Sequence, residues 1–147
     1  MTEATKYQEL APGQRDNAPQ GGEAQRIRFG GRQRDGWYVA KSQDSYVLSR
    51  HWPAQFDVRA STRLPRLRAS RLARQIRQDI WRELQGLRGF SPVVQIVEED
   101  AGMTVYAGGQ LMAGPVPNGT QQRIQALLDD PARRARWSLW ARNEGQG

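Results

Sequence analysis

An α+β fold is expected for this chain: two β-hairpins in a small antiparallel sheet, packed by one long amphipathic helix, with a helical C-terminus and a disordered N-terminal tail. Three observations predict it. Two stretches, 37–49 and 92–107, are rich in β-formers and fold back at polar turns. Between them, Ala69, Leu72, Ala73, Ile76, Ile80, Leu84 and Leu87 recur at three- and four-residue intervals, one apolar stripe down a helix. After them, 120–142 carries helix caps and further apolar periodicity. Paired strands interrupted by a one-sided helix pack as sheet against helix.

The elements follow in order. Residues 1–25 are rich in Gln, Gly, Ala and Pro, with Tyr7 as their single aromatic. Such a stretch cannot bury enough apolar surface to offset its ordering entropy, so it reads as a disordered tail, and 26–147 as a single small domain. Ile27 and Phe29 alternate with Arg26 and Arg28, which is period two. Trp37–Ala40 and Ser45–Ser49 form a hairpin joined by 41–44, with Trp37 and Val39 on one face and Tyr46 and Leu48 on the matching face. The loop 30–36 is glycine-rich and basic but lacks the spacing of a phosphate cradle, and a β-turn accounts for it.

The helix comes next. Ser61 or Thr62 can cap it, and Pro65 is tolerated in a first turn. Gly89 and Pro92 stop it. A helix from near Pro65 to Arg88 would be about 35 Å long. Pro92–Val97 and Met103–Ala107 make the second hairpin around the turn 98–102. Gly108-Gly109, Gly114, Pro115 and Pro117 break the chain again. Thr120 caps a helix carrying Ile124, Leu127 and Leu128, and Asp130-Pro131 opens a last helix to about Arg142.

Composition sets the limits on function. A chain of 147 residues with 37% apolar side chains supports one domain with a modest core. It has no cysteine, which excludes disulfides, zinc ribbons, thiolate catalysis and iron–sulfur ligation. MTEATKYQEL lacks a basic region followed by an apolar run, and no segment approaches the ~20 apolar residues that span a bilayer. A cytoplasmic protein is expected, which leaves the glycosylation triplet Asn118-Gly119-Thr120 without a role. Twenty of its 22 basic residues are arginine, a ratio that also resembles the codon bias of a GC-rich bacterial genome.

That bias does not explain where the charge lies. The formal net charge is +7, and residues 59–88 hold nine arginines against Asp79 and Glu83, which is also +7. Residues 1–58 sum to +1 and residues 89–147 to −1. On a wheel of ~100° per residue, Arg74, Arg77, Trp81 and Arg88 share one flank of the helix. Arg68, Arg71 and Arg82 cover the back and the other flank. Arginines suit phosphates, and Trp81 among them offers a stacking platform for a base. The plainer account is a solvated face with Asp79 and Glu83 as local partners. In the last helix Arg133, Arg136, Trp137 and Trp140, with Arg134 and Arg142, repeat the arginine–tryptophan theme. They form either a secondary patch or, through both tryptophans, an anchor onto the domain.

Catalytic signals are weak. His51 is the single histidine. It can act as a base only with an orienting carboxylate. Glu98, Glu99 and Asp100 share a turn, where they keep it soluble or pair with arginines, and Asp129 and Asp130 are explained by capping. No catalytic constellation, metal site or cofactor is expected. The expected function is non-enzymatic binding of a polyanion, nucleic acid foremost, without strong sequence preference, through the arginine-rich helix. The alternative is an adaptor or assembly factor that docks on an acidic protein surface. Oligomeric state stays open.

Overall fold

The computed structural model describes residues 36–142, and the backbone alone of 8–9 and 28–32. Outside 8–9, the expected disordered tail lies beyond the described residues. In chain order the elements are β1 (Gln8–Glu9), β2 (Arg28–Arg32), β3 (Tyr38–Lys41), β4 (Ser45–Ser49), β5 (Gln55–Phe56), β6 (Val58–Leu64), α1 (Ala69–Glu83), β7 (Phe90–Glu99), β8 (Gly102–Leu111), α2 (Thr120–Asp129) and α3 (Pro131–Trp140). The main sheet runs β2-β3-β4-β7-β8-β6, every neighbouring pair antiparallel. The α+β architecture, the two hairpins, the sheet packed by the longest helix and the helical C-terminus all stand as expected.

The largest difference lies in the arginine-rich segment, where a strand precedes the helix. Val58, Ala60 and Leu64 are buried at even spacing while Arg59, Ser61 and Arg63 point away. This is a period-two pattern written in small residues between arginines. Strand β6 pairs with β8 from Val58↔Gly109 to Leu64↔Met103. Ser61 and Thr62 therefore lie in a strand and cap nothing, and Pro65 belongs to the link into α1. The helix also ends early: Leu84 takes the C-cap position, with its N–H on the Ile80 carbonyl. At 15 residues it is ~22 Å long rather than ~35 Å. Leu84 and Leu87 continue the apolar stripe from a turn, which is why spacing alone overran the end.

Three smaller differences have local causes. β8 continues through Gly108-Gly109 instead of breaking. A Cβ at Gly108 would lie 1.9 Å from the Val58 carbonyl oxygen, so glycine permits the close strand approach. Glu98 and Glu99 are strand residues, because the hairpin closes over Asp100 and Ala101 alone. Gly119, at φ 89°, takes the cap position of α2, while Thr120 is its first helical residue and donates its hydroxyl to the Pro117 carbonyl at 2.8 Å. Asp130 caps α3 as expected, accepting from the Arg133 N–H at 2.9 Å behind Pro131.

The main core lies between one sheet face and the three helices. It joins Trp37, Val39, Tyr46, Leu48, Val94, Ile96, Met103 and Val105 to Leu72, Ile76, Ile80, Ile124, Leu128 and Trp137. The shared face of Trp37 and Val39 with Tyr46 and Leu48 is as the alternation predicts. A second cluster gathers Ala40, Val47, Ala54, Phe56 and Val93. Strand β5, which carries Phe56, pairs with β1.

One edge of the sheet is sealed by side chains. In β6 the groups at 59, 61 and 63 point away from β8, a row that would otherwise pair with any passing strand. Gln121 donates to the Arg59 carbonyl at 3.3 Å, and Gln125 donates to the Ser61 carbonyl at 2.8 Å. Arg134 donates to the Arg63 carbonyl at 2.7 Å, the Thr62 hydroxyl at 2.6 Å and the Leu128 carbonyl at 3.1 Å. These contacts also fix α2 and α3 against the sheet.

Candidate nucleic-acid interface

Helix α1 has three faces. Leu72, Ala73, Ile76 and Ile80 are buried on the sheet. Asp79 turns toward α3. The remaining arc, ~180° wide on a wheel of ~100° per residue, carries Arg68, Arg71, Arg74, Arg77, Trp81 and Arg82. Arg68, Arg71 and Arg74 are exposed, and among the described residues none of them forms an ion pair. Arg74 lies near enough to Tyr46 to act on its hydroxyl, whose pKa burial raises and the Arg74 charge lowers in part. Arg88 is exposed too, but it lies in the turn after the helix, where a helical wheel does not place it.

The other arginines of the charged segment are engaged. Arg63 pairs with Glu99 at 2.8 Å and Arg66 with Glu98 at 3.0 Å. The carboxylates of the second hairpin thus hold arginines. Arg59 lies over Tyr106 at 4.8 Å and Phe56 at 5.9 Å, and burial lowers its pKa. Arg68, Arg71 and Arg74 are therefore the run of exposed arginines without a carboxylate partner among the described residues, from the N-cap through the first two turns of α1, with Arg88 apart from it.

Where that row meets the first hairpin, the surface opens into a half-open cleft of about 310 Å³, lined by Trp37, Arg50, Arg77, Gln78, Trp81 and Arg82. Its geometry follows from register. Tyr38 pairs with Ser49, so the next positions out, Trp37 and Arg50, lie opposite each other. The Arg50 guanidinium then sits 5.5 Å from the Trp37 ring centre, and Arg77 of α1 sits 4.5 Å from it. Gly36, at φ +91°, turns the chain into the hairpin where its missing Cβ would stand 3.8 Å from Arg50. Trp37 is buried at 8% exposure, whereas Trp81, one turn beyond Arg77, is 55% exposed. No described lining residue is acidic.

The residues of the expected secondary patch divide. Trp137 is fully buried, and its Nε1 donates to Asp79 Oδ2 at 2.7 Å. The Arg136 guanidinium also binds this carboxylate, and Arg82 lies 3.7 Å from it. Asp79 is only 5% exposed, so three donors from two helices meet one buried acid. Arg133 reaches Glu83 at 3.7 Å and Asp130 at 3.8 Å. Trp140, three residues beyond Trp137, faces solvent at 59% exposure. So Trp137 anchors α3 and Trp140 does not. Arg82 touches both regions: its side chain is 62% exposed despite Asp79.

His51 is exposed, and its backbone exchanges hydrogen bonds with Ser49 Oγ at 3.3 and 2.7 Å. It does not line the cleft. Of the glycine-rich loop, 30–32 form the end of β2 and 33–35 lie outside the described residues. Sequence reasoning missed Arg50 and Gln78, and treated Trp37 as core alone. The hairpin register was the signal, since extending the Tyr38–Ser49 pairing by one step puts Arg50 beside Trp37. Comparison with known proteins finds no matching family, no matching curated protein and no matching solved structure.

Proposed function

We propose that this protein is a non-enzymatic nucleic-acid-binding domain that grips the phosphate backbone without strong sequence preference. The observation that carries the reading is the continuous row Arg68, Arg71 and Arg74, exposed and without carboxylate partners among the described residues, running into the arginine–tryptophan cleft. A local field of this kind attracts a polyanion, and the helix rise of ~1.5 Å per residue spaces the three arginine origins ~4.5 Å apart. Long side chains adapt that spacing to successive phosphates. Contacts to phosphate carry no base information, so affinity depends on salt more than on sequence. The test is the salt dependence of binding to random-sequence DNA and RNA, with Arg68→Gln, Arg71→Gln and Arg74→Gln combined as the control.

The second reading, an adaptor or assembly factor that docks on an acidic protein surface, rests on the same exposed arginines, with Trp140 and Leu139, exposed on α3, as apolar contacts. It predicts a saturable protein complex that nucleic acid competes for poorly. No helix of the described residues is long and apolar enough to cross a membrane.

A further inference from the structure

We infer that the Trp37–Trp81 cleft holds one unpaired nucleobase together with its adjoining phosphate, so the protein prefers single strands to duplexes. The inference rests on the nucleic-acid reading above and names the form of nucleic acid. Four features point to it. The volume, about 310 Å³, lies at the small end of ligand sites and is enough to take a base. The exposed Trp81 indole lines the space, and any base can stack on an indole face. Arg50, Arg77 and Arg82 surround that space with guanidinium groups, and Arg50 and Arg77 are fixed in place over Trp37. Gln78 supplies an amide able to meet the hydrogen-bonding edge of a base.

A base within a duplex hides both faces in the stack, so it enters such a cleft only after unpairing, which costs energy that a single strand does not pay. The arginine row on α1 leads to the cleft along the same side of the helix. A strand can therefore lie with its backbone on Arg68, Arg71 and Arg74 and one base turned in against Trp81.

The experiment compares a labelled oligothymidylate, a duplex of equal length and thymidine monophosphate at one low salt concentration, by anisotropy and by quenching of tryptophan fluorescence. The proteins are wild type, Trp81→Ala, Trp81→Phe and the combined Arg68→Gln, Arg71→Gln, Arg74→Gln variant. Trp81 is exposed, so its removal leaves the core intact. The expected result is tighter binding of the single strand by wild type. Trp81→Ala then weakens it roughly ten- to a hundred-fold, lowers duplex affinity far less and loses the quench, while Trp81→Phe keeps most of the affinity. If Trp81→Ala keeps the wild-type ratio of strand to duplex affinity while the arginine variant weakens both, the cleft assignment is wrong and the phosphate-binding face stands. Monophosphate binding as tight as the strand overturns the assignment in favour of a free nucleotide. If neither strand nor duplex binds, both readings fall.

Discussion

Replacing Asp79 with alanine removes the acceptor on which α1 and α3 converge. The carboxylate is 5% exposed and takes the Trp137 indole N–H at 2.7 Å, the Arg136 guanidinium, and Arg82 at 3.7 Å. The indole nitrogen belongs to a fully buried side chain, so without Asp79 it is left unsatisfied, at a cost of about 1–3 kcal/mol. Breaking a wholly buried ion pair costs about 3–5 kcal/mol, an exposed one about 1 kcal/mol or less. The Arg136 side chain is 37% exposed and can recover water, so its share falls near 1 kcal/mol. Arg82, more exposed still, adds little. The sum is a loss of about 2–4 kcal/mol, a large part of what a small domain has. Asp79→Asn keeps an oxygen for the indole and loses only the charge, so about 1–2 kcal/mol is expected. Urea unfolding followed by tryptophan fluorescence and circular dichroism measures both. An Asp79→Ala protein within about 0.5 kcal/mol of wild type, the range of neutral surface changes, would refute the reasoning.

Other predictions follow from separate parts of the molecule. Gly108→Ala places a methyl 1.9 Å from the Val58 carbonyl and should cost more than about 3 kcal/mol or prevent folding, read as loss of the cooperative urea transition; a wild-type midpoint would show that β6 and β8 can separate. Arg134→Ala removes three hydrogen bonds, two to the β6 edge and one to α2, with an expected loss of about 2 kcal/mol; combined with Gln125→Ala it should also raise self-association in sedimentation, by uncovering the strand edge. The Tyr46 pKa lies above its ordinary 10.0 in the folded chain because the ring is buried, with Arg74 opposing in part. The folded state therefore holds this proton more tightly than the unfolded state, so the contribution is complete below the unfolded pKa and is lost as pH rises through the folded one. Stability of wild type should fall above about pH 10 more steeply than that of Tyr46→Phe; parallel curves would contradict the assignment.

Apolar periodicity made much of the fold legible. The Leu72–Ile76–Ile80 stripe located α1, and alternation at Trp37, Val39, Tyr46 and Leu48 located the first hairpin and its buried face. Strand β6 was hidden because its inward residues, Val58, Ala60 and Leu64, sit between arginines that suit a helix surface equally well, and because Pro65 reads as a helix start. Strength of pairing with β8 decided the matter, and that is a tertiary effect no local pattern displays. The charged face was legible as charge, not as geometry. Sequence could not separate Arg63 and Arg66, bound to Glu99 and Glu98, from Arg68, Arg71 and Arg74, which lack such partners among the described residues. Asp79 looked like a surface partner for neighbouring arginines, because its position at the helix flank says nothing of α3 arriving above it. Trp137 and Trp140 looked alike three residues apart, and only the packing of α3 on α1 turned one inward.

The most direct test of the central claim is the salt dependence of binding to a labelled single strand. Log K should fall linearly with log salt, and Arg68→Gln, Arg71→Gln and Arg74→Gln together should reduce the slope by about 2, at ~0.7 for each phosphate no longer neutralised. Folding of the variant, checked by the same urea transition, should be unchanged, because all three side chains are exposed. Binding with an unaltered slope in the variant, or no binding by wild type at low salt, would show that this arginine row is not a phosphate-binding face.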